Sequence, residues 1–250
     1  MTGTTPLLQV RGASKHFAGL RAVDDVSFDV RRGELVGLIG PNGAGKTTLF
    51  NLIAGALPLT AGEVLLDGHR ISGLSTMHVA AAGLARTYQN LRVFPDVTVF
   101  DNASVGAAGR VGVSLVDALL PWRGRRRDRE IAETTHAVLA RFGLTELAWQ
   151  PAGNLAYGQK KLLELARALA LAPQLLLLDE PAAGLNAIET VALADRLRQL
   201  KDEGLTMLLV EHDMPMVIRI CDRIVVVESG RKLADDVPAR NRKGLSLIHL

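Results

Sequence analysis

A chain of 250 residues, 48% hydrophobic and 22% charged, has room for one large domain or a core with a subdomain, and its apolar content excludes extensive disorder. Lys and Arg number 29 against 26 Asp and Glu, a net charge of +3 that is too balanced to point to nucleic acid by itself. The single cysteine, Cys221, excludes an internal disulfide and fits a reducing compartment, while Met1 to Pro6 lack the basic start and apolar core of a secretory signal. No apolar run reaches the roughly 20 residues of a membrane span, so a soluble, cytoplasmic protein is expected.

In chain order, Leu7 to Val10 and Val26 to Val30 read as short strands, the second alternating Val26, Phe28 and Val30 with polar residues. Arg31-Arg32-Gly33 is a turn, Glu34 to Ile39 a β run feeding a glycine-rich loop, and a helix is expected from Lys46 to about Ala54. Val64 to Leu66 form a strand entering a tight turn at Asp67-Gly68. From about Leu91 to Asn154 the texture changes to helical patches with polar breaks, which marks an inserted helical subdomain. Within it lie Arg123, Arg125, Arg126, Arg127 and Arg129; nucleic acid or lipid headgroups could use such a cluster, but with no interleaved aromatics a solvated helix start or loop is favoured. Leu162, Leu165, Ala166 and Leu169 then fall at the spacing of one buried helical face, and Leu193, Leu197 and Leu200 repeat that spacing. Leu205 to Val210 and Ile224 to Val227 are apolar β runs, and the alternation implies a mostly parallel sheet covered on both faces.

Three segments carry chemistry. Gly40-Pro41-Asn42-Gly43-Ala44-Gly45-Lys46-Thr47, followed by Thr48, satisfies the G-x-x-x-x-G-K-[ST] pattern between a strand and a helix. Its glycines let backbone amides wrap the β- and γ-phosphates of a nucleotide, Lys46 adds a mobile charge, and Thr47 offers a hydroxyl to Mg²⁺. Leu175 to Leu178 deliver Asp179 and Glu180 to the end of a buried strand. There Asp179 can partner the same metal from behind its direct ligands or through water, and Glu180 can point at an attacking water. Leu155-Ala156-Tyr157-Gly158-Gln159 opens a helix whose free amides can face a second anion. Two phosphate devices exceed what one nucleotide needs, which suggests two chains sharing their nucleotides. A lone histidine such as His212 is ordinarily a surface or capping residue, but its place after a core strand favours a γ-phosphate sensor; Gln89 alone says little.

Together these residues resemble the ATP-binding subunits of ABC transporters over nearly the whole chain. The resemblance makes Gly40 to Thr47 the Walker A loop, Gln89 the Q-loop residue in contact with nucleotide and metal, and Leu155 to Gln159 the signature turn. Leu175 to Asp179 with Glu180 become Walker B and the catalytic acid, Ala183 to Asn186 the D-loop, His212 the switch histidine and Phe17 the aromatic stacked on adenine. It implies a P-loop (RecA-like) α/β ABC fold over residues 6–236, with an antiparallel β subdomain and a helical subdomain at about 91–158, followed by a tail at 237–250. Ala85 to Asn90 with Val93-Phe94, the tyrosine in the signature turn, and Asp179 to Asn186 are similar to the Liv-type ATPases of branched-chain amino-acid importers. Relatives importing urea or short amides look much the same.

The implied cofactors are ATP and Mg²⁺. The implied partners are a second ABC ATPase, identical or related, permease subunits that place a cytoplasmic helix near the Q-loop, and indirectly an extracytoplasmic solute-binding protein. The implied location is the cytoplasmic face of the membrane. ABC ATPases of DNA or ribosomes carry two nucleotide domains or coiled-coil insertions, neither of which is visible, so no nucleic acid is expected. Two departures stand out. Ala156 occupies a position where the family usually has serine, which opens the alternative of a nucleotide-gated module with weak hydrolysis, and Ala239 to Leu250 differ from the usual helical ending.

Overall fold

The computed structural model describes residues 5–89, 91–111 and 121–238, the side chains of 121–123 excepted; the expectations for Asn90 and for the tail at Ala239 to Leu250 lie outside the described residues. The chain divides into two compact units, one formed by the chain up to Arg86 together with that from Gln174 onward, the other by Thr87–Pro173.

The first unit holds two sheets. An antiparallel sheet has the order β2-β1-β4-β5, with β1 Leu8–Phe17, β2 Leu20–Val30, β4 Ala61–Leu66 and β5 His69–Arg70. β1 and β2 are much longer than the short apolar runs suggested. Register shifts after Val10 and Ala13 carry the pairing through polar residues, and Asp25 adopts a left-handed φ of 53°. A bulge admits residues that break the alternation, so hydrophobic pattern alone undercounts such strands. Asp67 and Gly68, both at positive φ (50° and 76°), make the two-residue turn into β5.

The second sheet has the order β10-β9-β3-β8-β7-β6. Its strands are β3 Leu35–Ile39, β6 Leu84–Arg86, β7 Leu175–Asp179, β8 Thr206–Val210, β9 Arg223–Glu228 and β10 Arg231–Asp236. β9, β3, β8, β7 and β6 run parallel, and β10 is antiparallel to β9. β3, β7 and β8 are buried at every residue, as central parallel strands covered on both faces must be. Helix α1 (Lys46–Ile53) contributes Leu49, Phe50 and Ile53 to a core shared with Leu8 and Val26 of the antiparallel sheet and Leu38, Leu177 and Leu208 of the parallel one. A short α2 (Thr76–Ala81) precedes β6. α6 (Ala187–Asp202) buries Leu193, Leu197 and Leu200 as their spacing predicts, and α7 (Met214–Ile220) leads into β9. Because β3, β8 and β7 are neighbours and parallel, the segments after Ile39, Val210 and Asp179 all leave the same edge of the sheet.

The second unit contains α3 (Val99–Val111), α4 (Pro121–Arg141), 3₁₀ turns at Thr145–Leu147 and Ala152–Asn154, and α5 (Tyr157–Ala170). A methyl group on Gly106 would lie 2.0 Å from the carbonyl oxygen of Arg167, so glycine allows α3 and α5 to pack backbone to backbone. Arg125, Arg126 and Arg129 are exposed along the first turns of α4, as a solvated helix start requires. Taking in all of α5, the unit runs past the stretch of helical texture from about Leu91 to Asn154. The buried face of α5 also differs from the expected one. Leu165 and Ala166 are buried, Leu162 and Leu169 only half-buried, and Lys161 and Glu164 turn inward. There the Lys161 Nζ donates to the Gln89 carbonyl (3.4 Å) and the Glu164 Oε1 accepts from the Tyr88 N–H (3.3 Å). Backbone partners of this kind make buried charge tolerable, and apolar periodicity cannot register them.

Candidate nucleotide site

A cleft of about 590 Å³ lies in the first unit, within the range of roughly 300–1,000 Å³ usual for small-molecule sites. Its walls bring together ten of the residues singled out by sequence: Phe17, Asn42 to Thr48, Glu180 and His212. The loop after β3 turns back on itself before entering α1. A methyl group on Gly40 would sit 2.0 Å from the Val227 carbonyl oxygen and one on Gly45 2.3 Å from that of Ala22, so neither position accepts a side chain. The Lys46 Nζ donates to the carbonyls of Gly40 (2.7 Å) and Pro41 (2.9 Å), which folds the lysine over its own loop. Burial pushes its ammonium below the ordinary lysine value, while the carboxylates of Glu180 and Asp179 pull the other way. Thr47 and Thr48 follow in the first turn of α1, where backbone N–H groups have no partner within the helix and attract an anion. Phe17, half-exposed at the end of β1, lines the outer part of the cleft with the Lys15 ammonium 5.1 Å from its ring centre.

Glu180, which also lines the cleft, has a left-handed φ of 48°, a strained position for a residue with a side chain. Its N–H donates to the Val210 carbonyl (2.9 Å), and its Oε1 lies 2.9 Å from the His212 Nε2. The contact sets an acid and an imidazole side by side at the phosphate loop, an arrangement suited to orienting a water for in-line attack.

Two predicted residues stand behind the wall. Gly40 packs against β9, and Asp179 is buried in an ion pair with Arg86 at 2.8 Å. A hydrated Mg²⁺ fits this arrangement: it needs one or two protein oxygens besides the phosphates and keeps several waters, so Thr47 would ligate directly and Asp179 through water. Among the described residues, no group of three or more His, Cys, Asp or Glu gathers to hold a metal by itself.

Gln89 and Leu155 to Gln159 belong to the second unit. Gln89 is exposed. Leu155 is buried, and Ala156 is the N-cap of α5 and offers no side-chain acceptor. Only the reverse arm of a capping box forms, the Gln159 Oε1 accepting from the Ala156 N–H at 3.0 Å. Tyr157 is half-exposed, 5.9 Å from the Lys161 ammonium.

Sequence reading missed Arg86, which also donates to the Asn51 side chain (2.6 Å) and lies over the Phe50 ring. It also missed the Ser229-Gly230 turn of the β9–β10 hairpin, which lines the cleft and donates from the Gly230 N–H to the Ala44 carbonyl (3.0 Å). A Ser-Gly pair after an apolar strand is a turn signal that could have found the second; nothing local marks the first.

Residues 23–183 match the model of the ABC transporter family. The high-affinity branched-chain amino acid transport ATP-binding protein BraF of Pseudomonas aeruginosa is 42% identical over 97% of this chain and 96% of its own length. LivG of Escherichia coli strain K12, with the same functional description, is 41% identical with the same coverage. A nucleotide-free ATP-binding cassette from an ABC transporter superposes with a TM-score of 0.84 at 29% identity, covering 97% of this chain and 96% of that one. The ADP conformation of an ABC transporter cassette gives 0.85 at 30% identity with equal coverage. A family model spanning the phosphate loop through the end of β7, with relatives matched along nearly their whole length, leads to one conclusion: the chain belongs to the ABC transporter family.

Proposed function

We propose that this chain is the ATP-binding and hydrolysing subunit of an importer for branched-chain amino acids or closely related small polar solutes. The carrying observation is the cleft lined together by Lys46, Thr47 and the Glu180–His212 pair, whose side chains are 2.9 Å apart. The names of BraF and LivG, similar along nearly their whole length, support the solute class.

In this reading the amides from Asn42 to Thr48 wrap the β- and γ-phosphates, Lys46 neutralises them, and Phe17 stacks on adenine. Thr47 would hold Mg²⁺ directly and Asp179 would hold it through water, and the ion would supply charge compensation on the phosphates. Glu180 orients and deprotonates the attacking water, and His212 senses the γ-phosphate while holding that carboxylate. Leu155 to Gln159 complete the nucleotide site of a second ATPase subunit, so that ATP closes two chains head to tail. Hydrolysis reopens them and moves permease subunits at the cytoplasmic face of the membrane, with an extracytoplasmic binding protein delivering the solute. Among the described residues no helix is long and apolar enough to cross a membrane, which suits a subunit that borrows its membrane path from partners.

Glu180→Gln tests the reading. It is expected to bind ATP and dimerise with turnover reduced by about 10²-fold or more. Turnover near that of the wild type in this variant would remove Glu180 from the role.

A further inference from the structure

The carboxylate of Glu211, directly after β8, is buried at 4% exposure and is not among the side chains that line the cleft. Its Oε1 accepts from the Ala182 N–H at 2.7 Å, in the turn that follows Glu180. Its Oε2 accepts from the N–H groups of His212 at 2.9 Å and Asp213 at 3.4 Å. One carboxylate thus ties the segment leaving β7 to the segment leaving β8. On the cleft side, the Glu180–His212 contact and the bond from the Glu180 N–H to the Val210 carbonyl join the same two segments. The result is a closed ring: Glu180, Ala182, the Glu211 side chain, His212 and back to Glu180.

We propose that Glu211 is a positioning residue for hydrolysis, fixing the His212 imidazole against the Glu180 carboxylate. A buried carboxylate carries a heavy desolvation penalty and is retained where backbone N–H donors converge on it, as they do here. A neutral side chain of the same shape cannot replace it. In Glu211→Gln one oxygen still accepts, but the amide NH₂ faces an N–H on the other side, so one of the two segments is released. His212 follows Glu211 in the chain, and a misplacement of about 1 Å at a reacting group is enough to cost about 10²-fold in rate. Nucleotide affinity, which rests on the loop after β3, is left intact. This inference rests on the hydrolytic reading proposed above.

The test compares wild type, Glu211→Gln, Glu211→Asp, His212→Ala and the double variant Glu211→Gln/His212→Ala. Each is measured for affinity toward a non-hydrolysable ATP analogue and for steady-state turnover. Glu211→Gln is expected to bind the analogue within about twofold of wild type while kcat falls about tenfold or more at unchanged KM. Adding it to His212→Ala should lower kcat by no more than about twofold further, because both act through one imidazole. Wild-type kcat in Glu211→Gln, or fully additive losses in the double variant, overturns the proposal. Should Glu211→Gln not hold its fold, Glu211→Asp decides. It keeps the charge but is one methylene short of spanning both segments, so reduced kcat at wild-type affinity supports the role and full kcat rejects it. A readout independent of turnover separates this inference from the hydrolytic reading. The His212 ring ¹H–¹⁵N resonances, assigned with His212→Ala, should shift both in Glu211→Gln and in Glu180→Gln, which removes the ring's direct partner. An unchanged ring signal rejects the positioning role even in an active enzyme, whereas a shifted signal in a protein without turnover shows that Glu211 places the ring and rejects the hydrolytic reading.

Discussion

Replacing Arg86 by methionine should destabilise the protein far more than a surface ion pair would. The Arg86 and Asp179 side chains meet at 2.8 Å and are only 8% and 6% exposed. At an effective dielectric of roughly 20, unit charges at that separation attract by about 6 kcal/mol. Desolvation of both groups cancels much of this, so the intact pair adds little net stability. Removing one partner is different: the buried carboxylate keeps its desolvation cost and loses the attraction, which amounts to about 3–5 kcal/mol. Methionine still fills the space beside Phe50, so the loss is electrostatic rather than a cavity. Against a total stability of about 5–15 kcal/mol, the urea midpoint should fall markedly. Arg86→Met/Asp179→Leu, which removes both charges, should recover at least about 1 kcal/mol of the loss. Urea titrations of the wild type, both single variants and the double close the cycle. An Arg86→Met variant within about 1 kcal/mol of wild type, or a double variant no more stable than the single, would refute the burial argument.

Two further changes follow from α5. Ala156→Ser supplies the missing N-cap acceptor and is expected to raise stability by about 0.5–2 kcal/mol; an unmoved urea midpoint would contradict the cap geometry. Its turnover should rise as well if the serine hydroxyl reaches a partner's γ-phosphate. Glu164 has its carboxyl pushed above the ordinary 4.5 chiefly by burial. A raised carboxyl favours the folded state below the unfolded value and loses that contribution as pH rises through the folded one. Glu164→Gln, which keeps an acceptor for the Tyr88 N–H, should therefore be more stable than wild type at neutral pH. That advantage should shrink as pH falls through the raised value toward 4.5, and denaturation midpoints that stay parallel across this range would contradict the assignment.

The phosphate loop was legible because its chemistry is local: glycines, lysine and threonine act within eight consecutive residues between a strand and a helix. The same holds for the four leucines that bury β7 and place Asp179 and Glu180 at its end, and for the Asp67-Gly68 turn. The lengths of β1 and β2 were not legible, because bulges carry a strand across residues that interrupt its alternation. Nor was the inward face of α5, where Lys161 and Glu164 are buried against backbone partners supplied by Gln89 and Tyr88.

The sequence by itself therefore determined the alternating α/β plan and the phosphate-loop pattern, and it singled out the acid and the histidine that the cleft brings together, since each lies in a short window of residue types. Tertiary structure alone decided which partners those residues meet. Only the order β9-β3-β8-β7 makes Glu180 and His212 neighbours, sets the Ser229-Gly230 turn against the phosphate loop, and brings the Glu211 carboxylate to the N–H of Ala182, 29 positions away. The parallel sheet places segments distant in sequence side by side at one edge, and a buried charge is stable only where such distant groups converge on it.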